Sequence, residues 1–236
     1  MTVFGIDSAG ASAGVAVLQD GVLAYDCVLQ AGRTHSETLL RMCENVFTAL
    51  GLAPSDVDLF AAAAGPGSFT GLRIGLSLVK GLAFPNDTPC AAVSTLAAIA
   101  ASVPAEGTLL TALDARRGEV YWAAFHSQGG TLTRLTPDEA APAEALRAFA
   151  GQAQGPVYLL GDGAQVVRGA LPDLGHLTLY PADHRQGRAL GVCRAALQSG
   201  ETVPPALLCP DYHRLSQAQR ERAARLKAEK GEGKNG

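Results

Sequence analysis

The chain reads as one pattern written twice. FGIDSAGASAGVAVLQDG, from Phe4, and LTALDARRGEVYWAAFHSQGG, from Leu110, align element by element, with Asp7 opposite Asp114. Each has an apolar run ending in an acid, a turn, a second apolar run and a tight turn carrying Asp-Gly or Gly-Gly. Asp20-Gly21 is a strong hairpin signal, because both residues accept the positive φ of a two-residue loop. In the first unit, strands are predicted over 3–7, 14–19 and 22–29. Thr34 to Glu37 has the spacing of a capping box, and Leu39, Cys43, Val46, Phe47 and Leu50 share one helical face before Gly51. DLFAAAAG (58–65) is a strand by position, and Leu72, Leu76, Val79 and Ala83 form a helical stripe ended by Pro85 and Pro89. CAAV (90–93) and a helix capped by Ser94 close the series.

The second unit runs the same course. Strands are predicted at 109–114, 118–126 and 131–136, then an alanine-rich helix at 138–150 and a strand at 157–161. A helix near 163–171, a strand at 177–180 and a helix near 185–199 follow. Two β-β-β-α-β-α-β-α halves imply an α/β chain with an internal duplication: residues 1–104, residues 105–213, and a tail at 214–236. The break falls at the turn-rich Pro104-Ala105-Glu106-Gly107. The tail carries a local charge of +4 in a chain whose net charge is −3, and its composition predicts a basic, partly disordered end.

Composition supports two packed units. Of 236 residues, 47% are apolar and 17% charged, the balance of a globular protein with a full core. The acidic balance speaks against a broad nucleic-acid surface. No apolar run approaches the roughly 18 residues of a membrane span, and MTVFGIDSAG lacks the basic start of a signal peptide. Five scattered cysteines without a CxxC suit a reducing compartment, so a cytoplasmic location is expected. His35, His126, His176, His184 and His213 stand too far apart for helical metal-ligand spacing, and no metal or catalytic set emerges.

GPGSFTGLRIG (65–75) is the most suggestive single stretch. It lacks the lysine of a Walker loop, the third glycine of a dinucleotide fingerprint and the flanking glycines of a nucleophile elbow. Gly65, Gly67, Ser68, Thr70 and Gly71 are read as a structural turn that sets the angle of the helix behind it and allows close approach of a partner helix. In that helix Leu72, Ile74, Leu76, Leu78, Val79 and Leu82 are apolar on more than one face, wider than a single core stripe needs.

Paired halves of this topology are the architecture of the actin, sugar kinase and heat-shock ATPase superfamily, an actin-like (ribonuclease H-like) fold. There each half offers phosphates a loop between its first two strands. Asp7 to Ser12 is partly suited to that task, whereas Asp114 to Glu119 places two arginines and an acid where bare amides are needed. Asp7, Ser8, Asp114, Arg116 and Gly118 therefore read as vestigial nucleotide loops.

FGIDSAG, THSETLL, GPGSFTGLRIGLSLVKGLAF, AVSTLAAIA and LDARRGEVYWA occur in that order and together resemble the TsaB family, also called YeaZ, of bacterial tRNA modification. Near the end, Pro210-Asp211-Tyr212-His213-Arg214 resembles the family's P-x-Y-L-R, with His213 where leucine is usual. The resemblance implies a non-catalytic subunit that pairs directly with TsaD through its first two helices and works with TsaE, an ATPase. Together these proteins form threonylcarbamoyladenosine beside the anticodon of tRNAs that read codons starting with A. It also implies a homodimer in isolation, indirect contact with tRNA, no tightly bound cofactor in the lone chain, and ATP or ADP at a surface shared with TsaD. His35, Leu39, Leu40, Cys43, Phe69, Arg73, Ile74, Leu76, Ser77 and Lys80 are the residues this assigns to the partner interface. The competing functions are a weak ATPase or phosphotransferase using Asp7 and Asp114, and a glycoprotease-like peptidase, for which no nucleophile or metal set is visible.

Overall fold

The computed structural model describes residues 1–30, 32–181 and 189–212. His184, His213 and the basic tail lie outside them, as does the start of the helix expected near 185.

The first half begins with three antiparallel strands, β1 (Thr2–Asp7), β2 (Ala13–Gln19) and β3 (Val22–Leu29). Asp20 and Gly21 turn the β2–β3 hairpin at φ values of 51° and 79°, a conformation that both residues accept. Next come α1 (His35–Leu50), β4 (Leu59–Gly65), α2 (Phe69–Ala83), β5 (Cys90–Ser94) and α3 (Thr95–Ala101). β4 lies parallel to β1 and β5 parallel to β4, giving the order β3-β2-β1-β4-β5.

The second half repeats this arrangement. β6 (Gly107–Arg116), β7 (Glu119–Gln128) and β8 (Thr131–Arg134) form the antiparallel trio, with β10 (Val157–Leu160) and β11 (Leu177–Leu179) parallel beyond β6. The order β11-β10-β6-β7-β8 is the first sheet's order with each strand replaced by its counterpart. The duplicated actin-like architecture read from the sequence is the architecture of the chain.

One element differs from expectation. Residues 138–150 do not form one helix: Glu139–Pro142 is a strand, β9, followed by a 3-10 turn at Ala143–Leu146 and a single α turn, α4 (Arg147–Ala150). The reason lies on β7. β8 pairs with 125–128 alone, which leaves the ladder groups at 119–122 for β9 to take. Satisfying that backbone outweighs the helix propensity of the alanines. The capping box at the start of α1 does not form either. Thr34 stands at the N-cap without accepting from a backbone N–H of the first turn, and its hydroxyl instead accepts from the Ser36 hydroxyl at 3.1 Å. Ser68 and Ser94 do cap α2 and α3, accepting from the backbone N–H groups of Gly71 and Ala97.

Strand alternation sorts the core into layers. Phe4, Ile6, Phe60 and Ala62 point to the side covered by α1 and α2, where Leu39, Val46, Leu76 and Val79 meet them. Val3, Leu59, Ala61 and Ala63 point the other way, onto α6 (Ala189–Ser199). α6 thus closes the sheet of the first half although it follows the second. α3 makes the reciprocal exchange: Leu96 and Ile99 pack against Leu109, Ala123 and Phe125 of the second sheet. α5 (Ala164–Ala170) and α4 cover that sheet's far face. The result is five layers with α3 and α6 at the centre.

Candidate functional site

Two places gather the residues singled out in the sequence: the turns after β1 and β6, and the surface made by α1 and α2.

The turns come first. Asp7 is buried, and its carboxylate accepts from the Ala9 N–H at 2.9 Å. Asp114 does the same for the Arg116 N–H at 2.7 Å. The two halves therefore share one local bond, from an aspartate to the N–H two residues on, although the loops around it differ in length and conformation. In each half an amide that a phosphate cradle would offer is taken by the loop's own carboxylate. The Ser8 hydroxyl is also committed, donating to the Gly71 carbonyl at 2.8 Å. Arg116 and Arg117 sit at positive φ with exposed side chains, and Arg116 lies 3.6 Å from Asp114. These residues do not fit a backbone cradle for nucleotide phosphates.

Burial pushes the Asp7 carboxyl above its ordinary value, against a weaker pull from the Ala9 N–H and the nearby His35. A carboxyl raised in the folded state contributes most stability below its unfolded value of 3.8, and that contribution is lost as pH rises through the folded value. Asp7→Asn keeps an acceptor for Ala9 and removes the buried charge. It is expected to raise Tm by about 3 °C at pH 7, with the gain vanishing as pH falls towards 3.8. Melting curves at several pH values check this; no gain at neutral pH contradicts it.

The glycine loop packs against the first of these turns. Ser68 donates its N–H to the Ala9 carbonyl at 2.7 Å. A Cβ on Gly67 would stand 2.6 Å from that same oxygen, and one on Gly71 would run into the Ser8 carbonyl. At Gly65, φ is 138° and a Cβ would meet the Asp211 carbonyl. The close approach that the sequence suggested for a partner helix is made inside the chain, to Ser8, Ala9 and Asp211. Thr70 is exposed at the start of α2.

α1 and α2 diverge above the sheet and leave an open groove of about 540 Å³. Leu39, Leu40, Ile74, Leu78 and Phe69 supply its apolar lining, and His35, Ser36, Thr70, Arg73 and Ser77 its polar rim. Among the described residues, no carboxylate lines it. His35 is half-buried and fixed, its Nε2 2.9 Å from the Gly10 carbonyl oxygen. Leu40 is 50% exposed, a large apolar side chain facing water at the groove's edge. Lys80 lies further along α2 and donates to the Ala206 carbonyl at 3.3 Å.

The interface set therefore divides. His35, Leu39, Leu40, Phe69, Arg73, Ile74 and Ser77 meet at the groove. Cys43 and Leu76 do not: both are buried in the core beneath α1 and α2, and burial pushes the Cys43 thiol up to about 12. Ser36 was missed for want of any sequence signal. Tyr212 belongs to a sequence motif that by itself gives it no place in the fold; its ring stacks on Phe69 at 4.9 Å. Among the described residues, no three His, Cys, Asp or Glu side chains come together as a metal site, and no helix is long and apolar enough to cross a membrane.

Known proteins share this arrangement. The family model described as TsaD: tRNA N6-adenosine threonylcarbamoyltransferase matches residues 29–164. The tRNA threonylcarbamoyladenosine biosynthesis protein TsaB of Escherichia coli is 34% identical over 74% of this chain and 75% of its own length. The TsaB of Bacillus subtilis is 33% identical over 59% of this chain and 61% of its own length. The matched stretch thus spans between about three fifths and three quarters of these curated relatives. The solved structure of YeaZ from Pseudomonas aeruginosa superposes with a TM-score of 0.76 at 27% identity, covering 89% of this chain and 99% of that one.

Proposed function

This chain belongs to the TsaB (YeaZ) family, and from that premise we propose that it is a non-catalytic assembly subunit in the formation of threonylcarbamoyladenosine on tRNA. Its direct partner is a TsaD-type subunit that carries the reacting groups, with a TsaE-type ATPase completing the complex. The observation that carries this reading is the α1–α2 groove: an apolar cleft with a fixed polar rim, at the surface, on two helices locked to the sheet by their own core faces. Such a surface suits a helical partner, because apolar ridges fill it and water leaves. In the absence of that partner the same face serves a second copy of the chain. The committed amides after β1 and β6 support a lone chain without tight nucleotide binding, so ATP or ADP is held, if at all, at a surface completed by the partner. tRNA is contacted through the complex, in the cytoplasm.

A second reading rests on the paired Asp7 and Asp114 turns: a weak ATPase or phosphotransferase acting between the halves. The two separate by reconstitution from purified subunits, ATP, an activated threonylcarbamoyl donor and tRNA, leaving out one protein at a time. Omission of this chain is expected to abolish modification, and this chain alone to hydrolyse ATP well below about 1 s⁻¹, the low end of ordinary turnover. Hydrolysis above that rate by the lone chain, lost in Asp7→Asn, favours the second reading.

A further inference from the structure

The last described residues are not idle surface. Residues 203–212 run back across the first half: Val203 pairs with Cys90, and Leu208 is buried in the core beside α2. Asp211 donates its N–H to the Ala64 carbonyl at 2.8 Å, in the space that Gly65 leaves by having no side chain. That contact delivers Tyr212 to the first turn of α2.

There Tyr212 meets Arg73 and Phe69. The tyrosine ring stacks on Phe69 with 24° between the planes. Its hydroxyl accepts from Arg73 Nε at 2.8 Å, and the Arg73 guanidinium lies over the Phe69 ring at 4.0 Å. A free arginine explores many rotamers and loses them on binding. This one is clamped on its face by Phe69 and at its inner nitrogen by Tyr212. Among the described residues, no carboxylate lies within ion-pair reach of it, and its two terminal nitrogens are the donors left over. Arg73 lines the groove, and no acid among the described residues does.

We propose that Tyr212 is a positioning residue for partner recognition: it holds Arg73 as a fixed fork at the groove's edge for a carboxylate on the helix of the TsaD-type partner. The occupant is thereby specified as an amphipathic helix whose apolar ridge enters between α1 and α2 and whose acidic residue, off that ridge, takes both terminal nitrogens. Arginine suits this role better than lysine, because its planar fork can bind both carboxylate oxygens. The inference rests on the groove being the partner site, and it adds Tyr212, through Arg73, to the residues that shape it.

The test is calorimetric titration of the full-length chain with its TsaD-type subunit, at low and high salt, with Tm recorded for every variant. Tyr212→Phe keeps the ring stack and removes only the hydroxyl. It is expected to leave Tm unchanged and weaken binding about 5-fold. Arg73→Lys keeps the charge and is expected to cost about 10-fold, and Arg73→Gln about 30-fold with a flatter salt dependence. Tyr212→Phe added to Arg73→Gln should cost nothing further, since the tyrosine acts through the arginine. If Ile74→Asp weakens binding about 30-fold while the Tyr212 and Arg73 variants bind like wild type, the groove reading stands and this proposal falls. If Ile74→Asp also binds normally, the groove reading itself falls. If the Arg73 variants weaken self-association by sedimentation and leave the heteromer intact, the carboxylate belongs to a second copy and the proposal is overturned.

Discussion

Gly191→Ala is expected to lower Tm by about 10 °C, the larger of the two stability effects expected for a single added methyl group in this fold. Gly191 lies on α6 where that helix crosses α3. A Cβ there would run into the Ala98 carbonyl and come within 3.1 Å of the Ser102 Cβ. α6 has nowhere to retreat, because its other side is pressed onto β1. A Cβ on Gly5 would stand 2.8 Å from the Ala189 carbonyl, showing how little space separates strand and helix. The added methyl must therefore push apart the two central helices, each of which covers a sheet of the other half. Overpacking against backbone on both sides costs about 3–4 kcal/mol, and for a domain of this size each kcal/mol is about 2–4 °C. Gly81→Ala is the control. Gly81 is exposed on α2 with nothing within 4 Å of an added Cβ, so it should gain up to about 1 kcal/mol from helix propensity. Calorimetric melting of both variants decides; a wild-type Tm for Gly191→Ala would mean that α3 and α6 are not tightly locked.

Ile74→Asp is expected to leave the fold nearly intact and to weaken the complex with the TsaD-type subunit by about 30-fold or more, a loss of at least about 2 kcal/mol. Ile74 is half-buried on the groove, so in the free chain its carboxylate remains in water. In the complex the same carboxylate would be buried against an apolar ridge without a partner. Leu76→Asp, two residues on, should behave in the opposite sense. Leu76 is 3% exposed and faces the sheet, and a charge there costs more than about 4 kcal/mol and unfolds the chain. The pair separates loss of binding from loss of structure, with Tm and titration measured on the same samples.

Much of this was legible in the residues. The wide apolar circumference of α2 marked two surfaces at once: Leu72, Leu76 and Val79 turn to the core, Ile74 and Leu78 to the groove. Asp20-Gly21 and Ser94 carried their own local chemistry and form the turn and the cap expected of them. What failed was local reasoning where a distant backbone decides. β9 is a strand because β7 has unpaired groups, and Glu139 itself carries no sign of that. The glycines of GPGSFTG announce a close approach, but their neighbours are Ala9, Ser8 and Asp211, which no spacing within the loop reveals. Tyr212 acts on Arg73 across 139 residues of chain, so only the fold joins them.

The most direct measurement is the rate of tRNA modification as the concentration of the Ile74→Asp chain is raised over fixed TsaD-type and TsaE-type subunits. A chain that contributes a docking surface, and no reacting group, should give little product at the concentration where wild type saturates. It should then approach the wild-type maximum in excess, because mass action replaces the lost affinity. A maximum that stays depressed, with the complex shown by titration to be fully formed, would mean that the groove takes part in the chemistry itself.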